Sequence, residues 1–342
     1  MNRDALQPAA SDEGQDEFLA QVHAGLARRR RSIPPKFFYD ATGSALFERI
    51  CETPEYYPTR TEAGILAAGG EEMAALLGTA CALLEFGCGS AVKTPALLRH
   101  FDDGALYVPI DICRPQLDAS ALRIAELHPG IRVRAVCGDY TELTHVPGAR
   151  EHGGRRVIFF PGSTIGNHTP SQARRLLQHA ARLTGPDGAM LVGVDCKKDH
   201  GLLNAAYNDA AGVTAAFNLN LLARMQRELG AAVERDGFAH YAFYNPLRSR
   251  VEMHLVSRRD QVIDLPGAGY RIGAGESIHT ENSYKYAPAE FQDLARSAGW
   301  TADKYWTDAD GLFAVHYLCR PRLVAQQRPR LAPALAQAAD GV

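Results

Sequence analysis

The stretch E-F-G-C-G-S-A-V-K-T, residues 85–94, decides how the rest of the chain is read. An apolar run, A-C-A-L-L, leads into it, and two glycines flank Cys88. Glycine carries no Cβ, so a backbone can turn sharply there and come close to a ligand. A loop of this kind at the end of a strand suits a dinucleotide, an ATP phosphate or S-adenosylmethionine. Two of the three ask for a glycine that is absent. The phosphate-loop pattern G-x-x-x-x-G-K-[ST] is met at Gly87, Lys93 and Thr94, but Val92 fills its last glycine position. The dinucleotide pattern G-x-G-x-x-G fails at the same Val92. S-adenosylmethionine has no pyrophosphate and makes no demand for that third glycine.

Outward from the loop, four further apolar runs end in small or acidic residues: A-L-Y-V-P-I-D-I, I-R-V-R-A-V-C-G-D-Y, V-I-F-F-P-G-S and A-M-L-V-G-V-D. Amphipathic helical stretches at 115–128 and 170–183 separate them. Buried strands alternating with helices predict an α/β, Rossmann-like core with a parallel sheet covered on both faces. The turn-rich stretch 146–156 is too short for a full crossover helix. After Asp195 the alternation stops. Residues 199–230 read as one helix, 240–245 and 250–257 as alternating strands, and 288–298 as a helix. Strands near 304–306 and 312–319 return to the core pattern. Before the core, an apolar periodicity from Phe18 to Leu26 predicts a helix, and the basic run 28–31 reads as its solvated end. Residues 1–16 and the Pro- and Ala-rich 322–342 are expected to be flexible tails.

Ligands of open parallel sheets sit at the carboxyl ends of strands, so those residues carry the information. Asp111 ends the second strand and suits the two hydroxyls of a ribose. Asp139 and Tyr140 end the third and offer an adenine a polar group and a ring. The alternative is that both acids only cap helices. The fourth strand runs into Gly162, Gly166 and Asn167. Asn167 offers a donor and an acceptor to a substrate; alternatively, it or Thr169 caps the helix at 170.

The bulk composition excludes other classes. The chain has 342 residues, 46% apolar and 22% charged, which is ordinary globular make-up. A formal net charge of -2 argues against a nucleic-acid surface. No apolar run approaches a bilayer span, and M-N-R-D-A-L-Q-P lacks the apolar core of a signal peptide. The seven cysteines are scattered without a C-x-x-C pair, and the 12 histidines show no H-E-x-x-H spacing. The expectation is a cytoplasmic, monomeric protein with reduced thiols and no metal site.

Longer stretches carry a resemblance to the L-histidine Nα-methyltransferases of ergothioneine biosynthesis. They are K-F-F-Y-D-A-T-G-S-A-L-F-E-R-I (36–50), P-E-Y-Y-P-T-R-T-E-A (54–63), the 85–94 loop, F-F-P-G-S-T-I-G-N (159–167), A-Y-N-D-A-A-G-V-T-A-A-F-N (206–218), R-V-E-M (250–253) and T-E-N-S-Y-K-Y (280–286). The resemblance covers about residues 18 to 321. It implies a class I methyltransferase core at 61–196 plus 286–321, and a discontinuous α+β substrate-binding domain at 17–60 plus 197–285. It implies that S-adenosylmethionine is held at Gly87, Lys93, Asp111, Asp139 and Tyr140. It places the amino acid's carboxylate and amine at Tyr56, Asn167 and Tyr207, and the imidazole at Glu281 and Ser283 with Asn282 between them. Tyr39 and Met253 match pocket-lining positions. The family loop more often reads E-L-G-S-G; here Phe86 and Cys88 depart from it, and cysteine is small enough to keep the backbone path.

The implied reaction is trimethylation of the α-amine of L-histidine to hercynine by in-line displacement, with no metal. Tyr39 or a water would take or orient the amine proton. A carboxylate such as Glu281 accepts an imidazole N–H, which an indole substrate would not need. Three alternatives stand beside this reading: a tryptophan-type Nα-methyltransferase of the same fold, a silent S-adenosylmethionine-binding regulator, and a nicotinamide oxidoreductase.

Overall fold

A computed structural model describes residues 12–320. In chain order the elements are α1 (Asp12–Leu26), α2 (Ala41–Glu52), α3 (Pro58–Leu77), β1 (Ala82–Phe86), α4 (Pro95–Leu98), β2 (Leu106–Asp111), α5 (Arg114–Leu127), β3 (Arg132–Val133), β4 (Val136–Cys137) and β5 (Arg156–Phe160). They continue with α6 (Pro170–Thr184), β6 (Ala189–Asp195), α7 (His200–Ala206), α8 (Val213–Leu229), β7 (Phe238–Asn245), β8 (Arg250–Ser257), β9 (Gln261–Leu265), β10 (Ala268–Ile272), β11 (Ser277–Tyr284), α9 (Pro288–Ser297), β12 (Thr301–Thr307) and β13 (Phe313–Cys319).

The main sheet runs β12-β13-β6-β5-β1-β2-β3, with β4 also on β2. Its centre is parallel, while β13 joins β6 antiparallel and β12 joins β13 antiparallel. This is the α/β architecture expected from the sequence. All five residues of β1 and all seven of β6 are buried. Strands covered on both faces take uniformly apolar side chains, and here they feed two clusters. Leu84, Val108 and Ile158 pack on one side with α6 and α9. Leu83, Tyr107 and Val157 pack on the other with α3 and α5.

The remaining elements form an α+β layer. An antiparallel sheet, β11-β8-β7, packs on α8, and β9 pairs with β10. A third apolar cluster, including Phe18, Phe38, Tyr56, Phe217, Met253 and Ile278, fills this part.

Several expectations need correction. The stretch read as one helix at 199–230 is two, α7 and α8. Asp209 breaks it: its carboxylate accepts the backbone N–H groups of Val213 and Thr214, both at 2.8 Å, and so satisfies the first donors of α8. The third strand is split into two short pieces. α1 begins at Asp12, inside the segment expected to be a tail, and the rest of the tail expectation (1–11 and 322–342) lies outside the described residues. Helices α2 and α3 and strands β9 to β11 were not foreseen, and α3 runs unbroken across the expected boundary at residue 60.

Candidate active site

The loop after β1 is shaped by its backbone. Gly87 and Gly89 take φ of 63° and 50°, in the left-handed region that favours glycine. The Gly89 N–H donates to Asp111 Oδ2 and the Cys113 N–H to Oδ1, both at 2.9 Å. Asp111 thus ties the glycine loop to the start of α5, and burial raises its carboxyl above the usual range despite those amides. Asp139 closes a local turn, accepting from the Thr141 N–H at 2.8 Å and the Thr141 hydroxyl at 2.6 Å. Tyr140 stacks on Phe86 at 5.1 Å between ring centres. A Cβ on Gly87 would lie 3.8 Å from the Tyr140 ring, so loop and ring face one another.

Lys93 is engaged inside the protein. Its ammonium sits 2.5 Å from Glu62 Oε2, and the same oxygen accepts the Gly162 N–H at 2.8 Å. Glu62 is wholly buried and joins the loop after β1 to the loop after β5. It lies in the quoted 54–63 stretch but was given no role. Cys88 is buried, and its thiol pKa is pushed far up by that burial and then by Glu85 and Asp111. Its burial between Gly87 and Gly89 suits a spacer better than a nucleophile.

A second group of residues gathers on β11. Between His279 and Glu281 the pairing with β8 slips by one residue at Thr280. Side chains alternate along a strand, so this bulge turns Glu281 to the face of Met253, its partner on β8. Ser283 follows on that face, opposite Val251. Asn282 points the other way, paired with Glu252, so the structure separates it from the two residues that flank it.

Burial raises the Glu281 carboxyl to about 7, with Lys285 pulling it down. Among the described residues no hydrogen bond engages that carboxylate. Tyr56 and Tyr207 meet edge to face at 6.1 Å, and Phe47 links Tyr56 to Tyr39. Burial holds all three phenols above their usual pKa, and the Glu281 charge adds to the rise in each. Tyr39 also feels Tyr140 and Asp111. It therefore stands within electrostatic reach of both the glycine loop and the β11 face.

Asn167 ends a tight turn at Thr164–Asn167. A Cβ on Gly166 would lie 2.7 Å from the Tyr284 carbonyl oxygen, so only glycine lets this turn rest against β11. The capping question is resolved by Thr169. Its hydroxyl accepts the Gln172 N–H at 3.4 Å, and Gln172 Oε1 accepts the Thr169 N–H at 2.9 Å, which completes a capping box.

One part of the site was missed. Asp195, the last residue of β6, accepts from the Tyr57 hydroxyl at 2.8 Å, from Lys285 Nζ at 2.6 Å and from Lys198 Nζ. Lys285 also donates to Tyr207 Oη at 3.0 Å and Ser283 Oγ at 2.8 Å, and the Tyr207 hydroxyl donates to Ser283 Oγ at 2.8 Å. Burial alone would raise the Asp195 carboxyl, but Lys285 and Lys198 outweigh it and hold it low. Burial would likewise lower Lys285, and Asp195 outweighs that. The available signals were an acid closing a core strand and a lysine inside T-E-N-S-Y-K-Y.

No described helix is long and apolar enough to cross a membrane, and all seven cysteines are unpaired. A family profile described as histidine-specific methyltransferase, SAM-dependent, matches residues 18–320. The chain is 41% identical over 317 residues to the histidine N-alpha-methyltransferase of Mycolicibacterium smegmatis, covering 91% of this chain and 97% of that one. It is 39% identical over 310 residues to the Mycobacterium tuberculosis protein of the same name, covering 89% and 95%. Ergothioneine biosynthesis protein 1 of Neurospora crassa is 29% identical over 311 residues; the match takes in 86% of this chain but 34% of that longer protein. Matched along nearly all of its described length, the chain belongs to the S-adenosylmethionine-dependent, histidine-specific methyltransferase family.

Proposed function

We propose that this protein methylates the α-amine of L-histidine three times, to hercynine, as a step of ergothioneine biosynthesis. The observation that carries the reading is the bulge at Thr280, which turns Glu281 onto the face of Ser283 and Met253. There a half-buried carboxylate without a protein hydrogen-bond partner among the described residues suits an imidazole N–H, and Ser283 serves the other ring nitrogen. An indole also carries one N–H for the carboxylate but has no second ring nitrogen, so the Ser283 hydroxyl would lose its ring partner at a cost of about 1–3 kcal/mol, and no observation favours such a substrate.

The amino acid's carboxylate and amine are assigned to Tyr56, Asn167 and Tyr207. Electrostatics supports that end of the pocket: Asp195, Lys198 and Lys285 sum to one positive charge behind Tyr207. Lys285 donates to Tyr207 and Ser283, and so fixes both hydroxyls before substrate arrives. Pre-oriented groups lose less freedom on binding, which is how positioning lowers a barrier.

The strand-end cradle fits S-adenosylmethionine. Gly87 presents no side chain beside the Tyr140 ring, where the adenine is assigned, Asp111 is assigned the ribose hydroxyls, and Asp139 the adenine amine. Lys93, held by Glu62, sets the loop from behind. When bound, the group supplies an electrophilic methyl on a sulfonium, already a good leaving group. The phenol of Tyr39, held protonated by burial, is a poor base at neutral pH. Its role is to orient the amine lone pair, and the proton leaves to water.

The apolar clusters support a two-part organisation, with 61–196 and 286–321 as the core and 17–60 and 197–285 as the substrate-binding part. Unpaired thiols agree with a reducing compartment such as the cytoplasm. The test is mass spectrometry of L-histidine incubated with the protein and S-adenosylmethionine. Products carrying one, two and three methyl groups are expected. Their absence, with methylation of tryptophan instead, would overturn the reading.

A further inference from the structure

The opposite face of β8 and β11 carries a second constellation. Glu252 and His254 lie in phase on β8, and His279 stands across from His254 on β11. One oxygen of Glu252 and one nitrogen from each histidine all fall within 4.8 Å of one another. Glu252 Oε2 and His254 Nε2 are hydrogen-bonded at 3.3 Å, a contact that a cation between them would replace. That spacing matches the roughly 3.3 Å between neighbouring donors of a tetrahedral centre with bonds of about 2.0–2.1 Å. The third donor needs to move by at most about 1.5 Å to reach the same spacing.

The surroundings are arranged as a metal site requires. Ser277 Oγ lies 3.2 Å from His254 Nδ1, which orients that ring and leaves Nε2 toward the cluster. Glu252 gives its other oxygen to Arg250 Nε and Asn245 Nδ2, both at 2.9 Å, so its carboxylate is fixed with Oε2 facing the histidines. His279 Nε2 and, on the same face, Asn282 Oδ1 are buried without a hydrogen bond of ordinary length among the described residues, and the Asn282 side chain lies beside the His279 ring.

We propose that Glu252, His254 and His279 bind a divalent cation of the Zn2+ class, completed by water, which clamps β8 to β11 behind the substrate face. Two imidazoles and a carboxylate favour borderline transition metals over hard cations. Arg250 beside Glu252 adds a positive charge, so binding is weaker than at a thiolate centre. The site stands apart from the methyl-transfer chemistry and does not depend on which amino acid is methylated.

The experiment is calorimetric titration of Zn2+ and Mg2+ into the full chain carrying Cys137→Ser, which removes the exposed thiol. One Zn2+ per chain is expected, Mg2+ is expected not to bind, and His279→Ala or His254→Ala should weaken Zn2+ about tenfold or more. S-adenosylhomocysteine binding checks that each variant is folded. Co2+ gives an independent readout on the unaltered protein: visible bands of four-coordinate nitrogen and oxygen ligation, without sulfur charge transfer. No Zn2+ uptake, equal uptake by the histidine variants, equal Mg2+ binding, or a sulfur charge-transfer band would overturn the proposal.

Discussion

The loop after β1 and the inner face of β11 both act electrostatically on Tyr39, and they are held in shape by different means. In the loop the backbone sets the form. Gly87 and Gly89 take left-handed angles, and the Asp111 carboxylate receives one backbone amide from the loop, at Gly89, and one from the start of α5, at Cys113. On β11 side chains set the form. A one-residue bulge decides which way Glu281 points, and Asp195, Lys285, Tyr207 and Ser283 hold one another by charge and hydrogen bonds. A backbone-built site tolerates loss of a side chain. A site built from buried charges does not, because each partner left behind is unpaired in a poorly solvating interior.

The largest effect should come from cutting the charged network. Asp195→Ala leaves Lys285 buried without its counterion and is expected to cost about 3–5 kcal/mol of stability, read by urea unfolding. A loss under about 1 kcal/mol would mean that the network is incidental.

Glu281 tests the same region by pH. Its carboxyl sits at about 7 when folded, against an ordinary 4.5. The folded chain thus keeps a proton that the unfolded chain releases. That stabilisation is fully present below about pH 4.5 and is lost as pH rises through 7. Glutamine mimics the protonated acid at every pH. Glu281→Gln should therefore match the parent near pH 4 and exceed its stability by on the order of 3 kcal/mol at pH 8. Parallel stability curves would show that Glu281 is not strained by burial.

The smallest effect belongs to the loop. A Cβ on Gly89 meets nothing within 4 Å, so Gly89→Ala carries only the strain of its left-handed angle. That is about 1–2 kcal/mol in thermal unfolding. A cost equal to that of Asp195→Ala would erase the contrast between the two regions.

The same contrast explains what the sequence reveals. Strands β1, β2, β5 and β6 are continuous apolar runs, and the glycine loop with Asp111 and Tyr140 sits at their ends, so local pattern is enough to find them. The helix break at Asp209 looks helical by composition, because the side chain that stops it does so only by folding back on Val213 and Thr214. The bulge at Thr280 exists only in the pairing of β11 with β8. Tyr57, Asp195, Lys198 and Lys285 are distant in sequence and meet only after the sheets assemble, so neither spacing nor periodicity brings them together. Glu281 and Ser283 were singled out through family resemblance; Glu62 and Asp195 lay inside quoted stretches without a role.

The central claim is that the bulged strand turns Glu281 toward the substrate's imidazole. It is tested most directly by calorimetric titration of L-histidine into the parent and Glu281→Ala proteins, each saturated with S-adenosylhomocysteine. A hydrogen bond to a charged group contributes about 1.5–3 kcal/mol, so the variant should bind histidine roughly 10- to 100-fold more weakly while holding S-adenosylhomocysteine as before. Unchanged histidine affinity in the variant would contradict the account.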